Sequence, residues 1–237
     1  MNTNNAHASA VPKRTVMPLF ALFVVFALSL LRLTYRDGAV GIVADDSVYL
    51  LMTDLFSPYF PELSARANFI ANISRYPPLY PAFMALLGAS SETVGVAHLA
   101  TASCLALSVW AYFYWLKFET EHWLHRLVLA ALFALLPATF LYALELWSEH
   151  LYLLISLLVL ATAARARQDE LRWWLMAAAL VGLAALTRTV GVALVAALAI
   201  YVFINKPPRR WLIIAVAFAV PLILFLLGLL DRKSDDY

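Results

Sequence analysis

Seven runs of apolar residues, at 16–31, 93–116, 127–144, 151–164, 173–187, 189–204 and 211–230, carry no Asp, Glu, Lys or Arg. A bilayer's hydrocarbon core is about 30 Å thick and takes roughly 20 helical residues to cross. The fourth, fifth and sixth runs fall short of that length. Composition agrees with a lipid setting: 64% of residues are hydrophobic and 14% charged, against about 45–50% and 25% in soluble domains. The chain therefore reads as an all-α integral membrane protein. A net charge of +2 gives no reason to expect nucleic acid, and the single cysteine, Cys104, excludes an internal disulfide.

The first run follows Lys13-Arg14 but has no small-residue cleavage site close behind it, so it reads as a retained helix. Residues 173–204 form a stretch of 32 residues interrupted only by Arg188. As one helix it would reach about 48 Å, too long for the core. Splitting it at Arg188 puts Lys13/Arg14, Lys117/Arg126, Arg165/Arg167/Arg172 and Lys206/Arg209/Arg210 on one side, which is ten of the 17 basic residues. The positive-inside rule favours that split. The expectation is about seven transmembrane helices spanning 16–230, with a cytoplasmic tail at 1–15 and an outer tail at 231–237.

That topology leaves residues 33–92 as the only long loop, on the outer face. Its apolar stretches 48–56 and 81–87 are too short to span and read as interfacial helices. Pro58, Pro61, Pro77, Pro78 and Pro81 punctuate the segment between and around them. A loop with its own helices, aromatics and acids is expected to be folded and functional.

Three constellations could carry chemistry. Asp45-Asp46 precedes the first interfacial stretch. One Asp there is accounted for as a helix N-cap, but a single cap position takes one residue. The alternative is a general base with a neighbour that sets its pKa or binds the acceptor. A divalent metal is a further use of two acids, weakly signalled without a nearby His. Arg75-Tyr76-Pro77-Pro78-Leu79-Tyr80-Pro81 reads either as a rigid aromatic anchor or as a phosphate-binding Arg with tyrosine hydroxyls beside a lipid groove. Glu149 and Arg188 sit at outer helix ends, as snorkelling charges or as the lining of an outward cavity. His98 reads as a satisfied polar contact, and Gly182 and Gly191 as points of close helix packing. Asn72-Ile73-Ser74 is a glycosylation sequon in an outer loop, with meaning only in a eukaryote.

Taken in order, these motifs resemble the C-type (GT-C) membrane glycosyltransferases. Val43-Ala44-Asp45-Asp46-Ser47-Val48-Tyr49 is similar to the acidic signature after their first helix. Tyr76-Pro77-Pro78-Leu79-Tyr80-Pro81 is similar to the tract that ends their first outer loop. Ser148-Glu149 and Leu186-Thr187-Arg188 also match bacterial members. The protein O-mannosyltransferases and the lipid A aminoarabinose transferase are the nearest in kind. The resemblance implies transfer of a sugar from a polyprenyl-phosphate donor to an acceptor at the outer, periplasmic face of a bacterial inner membrane. It makes Asp45 the catalytic base and Asp46 an auxiliary acid where the family usually has Glu. Arg75, Tyr76, Tyr80, Glu149 and Arg188 become the candidate substrate-binding residues, with Tyr76 standing where aminoarabinose transferases often carry Lys. No cofactor is required, since phosphate is already a good leaving group.

Members of that family usually run considerably longer. An alternative expectation is therefore an inactive GT-C-like accessory subunit, with other membrane subunits supplying a C-terminal half. Transport ranks lowest, because it would place ionisable residues near the midplane of several helices, and here they gather at the ends.

Overall fold

A computed structural model of the chain describes residues 13–35, 44–64, 76–166 and 170–233. Among them every regular element is helical. In chain order they include α1 (Lys13–Thr34), α2 (Ala44–Phe56), α3 (Leu79–Leu86), α4 (Val94–Trp115), α5 (Trp123–Leu135), α6 (Pro137–Tyr142), α7 (Glu149–Ala166), α8 (Leu171–Thr187), α9 (Val192–Asn205) and α10 (Arg210–Lys233). Short 3₁₀ turns, Leu116–Phe118 and Thr189–Gly191, follow α4 and precede α9. Among the described residues two segments are long and apolar enough to cross a membrane, Val94–Phe118 and Glu149–Ala166. Five shorter apolar helices lie at Leu19–Thr34, Trp123–Leu135, Leu171–Thr187, Thr189–Asn205 and Arg210–Ile223.

Apolar continuity over 127–144 suggests one span, but the helix breaks at Pro137. Leu136 is extended, with φ −57° and ψ 130°. A following proline disfavours the α-region, because its Cδ crowds the preceding residue. Pro137 then opens α6, where its missing N–H costs no hydrogen bond. The expected break at Arg188 is present. That residue is extended, at φ −150° and ψ 146°, between α8 and the turn before α9.

The chain divides into two compact units, one running to Leu154 and one from Ile155. In the first, α1 packs on α4 and α2 on α3. Leu30, Leu105, Ala102, Ala106 and Ala143 form a buried cluster, joined by Phe26, Leu31 and Leu153. α4 buries Gly95, Ala97, Ala100, Ala102, Ala106, Ser108 and Ala111, small residues that let neighbouring backbones come close. Arg126 is also buried, its guanidinium donating to the Thr120 carbonyl at 3.0 Å and the Glu121 carbonyl at 2.9 Å. Those bonds close the turn that enters α5.

In the second unit α8 is central, packing on both α9 and α10. Pro221 lies inside α10 and removes the helical donor for the Ala217 carbonyl. That carbonyl lies over Gly182, where a Cβ would sit 3.1 Å from it and 2.9 Å from Pro221 Cδ. Gly191 is held as closely, since a Cβ there would run into the backbone of Ala184. Both glycines thus serve close packing, as their places in apolar runs suggest. The Arg165 guanidinium lies 4.2 Å from the Trp173 ring centroid, and Glu170 accepts from Arg172 and from the Trp173 indole, each at 2.6 Å. Arg172 holds the exposed Glu170 carboxyl below its usual range.

Many large apolar side chains face outward. They include Phe20, Leu22, Val25 and Leu28 on α1, Leu124, Val128 and Leu132 on α5, and Phe218, Leu222 and Ile223 on α10. Soluble monomers rarely expose large apolar patches. Lipid is the solvent such faces suit.

Candidate functional site

Asp45 and Asp46 lie inside the first turn of α2 rather than ahead of it. Carboxylates are favoured there because the first helical N–H groups point at them and the helix dipole is positive. Consecutive helical residues point about 100° apart, so the pair has two environments. Asp45 is half-buried and accepts a hydrogen bond from the Tyr76 hydroxyl at Oδ1, 2.7 Å away. Asp46 is completely buried.

Asp46 Oδ1 accepts the backbone N–H of Leu146 at 3.2 Å. Its Oδ2 receives no N–H or hydroxyl donor. Beside it stands the carboxyl of Glu145, itself buried. Two acids can bond directly only if one of them carries a proton. Burial first, then the bond and the charge of Glu145, push the Asp46 carboxyl up from 3.8 to about 7. The Leu146 amide opposes this shift, and Asp45 adds to it.

Aromatic packing aligns the first turn of α2 with α3. The Tyr49 ring lies edge-on to Tyr80 and tilted against Tyr76, each at a centroid distance of 5.0 Å. Such pairs add about 0.5–1.5 kcal/mol beyond their buried area. The Tyr49 hydroxyl meets Ser148 Oγ at 2.8 Å, linking α2 to the residue before α7. Tyr80 is wholly buried, with its hydroxyl 2.8 Å from Thr101 Oγ1. The Thr101 hydroxyl donates to the Ala97 carbonyl at 2.9 Å, so Tyr80 is the donor in their shared bond. Burial holds the Tyr80 phenol well above its usual pKa. At the far end of α2, buried Asp54 accepts the Ser91 N–H at 2.8 Å.

Of the residues singled out from the sequence, Asp45, Asp46, Tyr76 and Tyr80 come together in one cluster, on α2, on α3 and just before α3. Glu149 opens α7, directly after Ser148. Arg188 belongs to the second unit, and Arg75 lies outside the described residues, as does the sequon Asn72-Ile73-Ser74. His98 is buried on α4. Sequence reasoning passed over Glu145 and Thr101, and took Ser148 only as part of a matching motif. Glu145 left a usable signal, since an acid between Leu144 and Leu146 in an otherwise apolar stretch needs a partner. Among the described residues no three His, Cys, Asp or Glu side chains form a metal-ligand set.

An oriented, half-exposed carboxylate beside a sealed acid pair is suited to taking a proton from a substrate at the edge of the site. No curated protein and no solved structure matches the chain. A family model does, that of the dolichyl-phosphate-mannose-protein mannosyltransferases, over residues 76–230. The matched stretch contains Tyr76, Tyr80, Glu145, Glu149 and Arg188, and it begins after Asp45 and Asp46. Because it spans roughly two thirds of the chain, the protein belongs to the dolichyl-phosphate-mannose-protein mannosyltransferase family, membrane glycosyltransferases of the GT-C type.

Proposed function

We propose that the chain transfers a sugar from a polyprenyl-phosphate donor to an acceptor at the outer, periplasmic face of the membrane, with Asp45 as general base. In this reading the seven apolar segments all span the bilayer, and the loop at 33–92 carries the site. The observation that supports it is the contrast between the two acids: Asp45 is partly exposed and oriented by Tyr76, whereas Asp46 is sealed against Glu145.

Tyr76 occupies Oδ1 of Asp45, and Oδ2 takes the acceptor's proton. The acceptor oxygen then bonds to the anomeric carbon as the bond from that carbon to the phosphate oxygen breaks. The electron pair leaves with polyprenyl phosphate, and the proton stays on Asp45. A cation near the phosphate would stabilise the leaving charge. Arg75, one residue before Tyr76, is the first candidate for that role, and Arg188 is the second on sequence grounds. Glu149, at the head of α7, is assigned to the polar edge of the substrate site. Tyr80 is committed to Thr101, so its part is to wall the site rather than to bond the donor.

The test is transfer from a prenyl-phosphate sugar by the purified chain in lipid nanodiscs. Loss of a general base typically costs about 10²- to 10⁴-fold in rate. Asp45→Asn should show a loss in that range with donor binding retained. Equal transfer by the variant and the parent would end the assignment of Asp45. Absence of transfer by the parent with every donor tried would favour an accessory subunit.

A further inference from the structure

The acid that sequence reasoning passed over has the most consequential place in the cluster. Asp46 Oδ2 is fully buried and has no N–H or hydroxyl to satisfy it. A buried polar atom left in that state is destabilising, and a charged one more so. The Glu145 carboxyl is the group placed to relieve it. Its chain neighbour Leu146 bonds the other oxygen of the same carboxylate. Residues 145–146 therefore face Asp46 with a side-chain carboxyl and a backbone N–H, the latter bonded to Oδ1.

We infer that Glu145 is a positioning residue of the candidate site: it shares one proton with Asp46 in a buried carboxyl–carboxylate bond that pins the first turn of α2 to residues 145–146 and thereby fixes the direction of Asp45. The catalytic consequence rests on the transferase reading, whereas the clamp itself does not. Asp45 is the next residue along the same helical turn, so any displacement of Asp46 is passed to it through one rigid peptide unit. A second tie runs in parallel, from the Tyr49 hydroxyl to Ser148.

The clamp holds only while the pair retains its proton. Once both carboxyls ionise, two like charges share a buried space and repel. Among the described residues, the titratable groups that interact with Asp46 are Asp45 on α2, Tyr80 on α3 and Glu145 after α6. Tyr80 is held far above its usual pKa and does not change charge near neutrality. With Asp46 at about 7, release falls in the physiological range.

Amide hydrogen exchange of the full chain in nanodiscs reads the clamp without reference to activity. In the parent, protection of the first turn of α2 and of the segment around Leu146 should hold below about pH 6. It should fall about tenfold or more by about pH 8.5, after correction for intrinsic exchange. Glu145→Gln donates an amide N–H to ionised Asp46 and does not titrate, so protection should become independent of pH. Glu145→Ala should leave both segments poorly protected throughout. In transfer assays the alkaline limb of the parent's pH profile should disappear in Glu145→Gln. That variant should also recover activity lost in Glu145→Ala, a rescue that simple loss of packing would not produce.

Flat protection in the parent, with both variants indistinguishable from it, would overturn the clamp even if Asp45→Asn abolished transfer. The expected protection pattern without transfer by any form would sustain the clamp and overturn the transferase reading instead.

Discussion

Replacing a buried catalytic-site acid usually destabilises a protein, yet Asp46→Asn should stabilise this one at alkaline pH. Asp46 titrates at about 7 in the fold against 3.8 ordinarily. That difference corresponds to at most about 4 kcal/mol. Because the folded pKa is raised, the folded state holds the proton more tightly than the unfolded one. Stability is therefore fully present below about pH 4 and is lost as pH rises through about 7. Asparagine keeps the acceptor for the Leu146 N–H and offers an N–H to Glu145, but it never ionises. Parent and variant should be within about 1 kcal/mol at pH 5, since asparagine conserves the hydrogen bond to Leu146 and is close to isosteric. At pH 8.5 the variant should lead by about 2–4 kcal/mol, or roughly 5–15 °C in midpoint for a chain of this size. Thermal unfolding in detergent, followed by tryptophan fluorescence across that pH range, measures the difference. A variant that keeps the parent's slope with pH, or that loses stability at pH 8.5, would refute the shared proton.

Tyr76→Phe keeps the ring packed on Tyr49 but removes the bond to Asp45 Oδ1. A hydrogen bond to a charged group is worth about 1.5–3 kcal/mol, so kcat should fall about 10- to 100-fold, and an unchanged kcat would show that the tyrosine does not orient the base. Gly182→Ala places a methyl 2.9 Å from Pro221 Cδ and Val220 Cβ. Overpacking of this kind costs about 1–3 kcal/mol. The thermal midpoint should drop equally at every pH, and an unaltered midpoint would mean that α8 and α10 have room to spare.

Hydropathy located most helices because each run lacks charge and its ends carry breakers. Arg188 marked a real break, since an extended arginine interrupts two apolar helices. Pro137 was equally visible but was overridden by apolar continuity, although its lack of an N–H makes it a strong local signal. The stretches 48–56 and 81–87 correspond to α2 and α3, which begin earlier, at Ala44 and Leu79. At the α2 start, the two acids lie inside the first turn rather than at the cap position, and they have opposite environments. Tyr76 and Tyr80 were legible because prolines and aromatics cluster around them. Glu145 showed only that an acid in an apolar stretch needs a partner; which partner was not legible, because Asp46 lies far away in the chain. Long-range pairing of that kind has no local periodicity to announce it.

The most direct test of the central claim follows both products of one reaction, free polyprenyl phosphate and glycosylated acceptor, with parent and Asp45→Asn side by side in nanodiscs. The account predicts that the parent forms the two one for one and that Asp45→Asn forms neither at an appreciable rate while still binding donor. Equal, stoichiometric product formation by Asp45→Asn would contradict it.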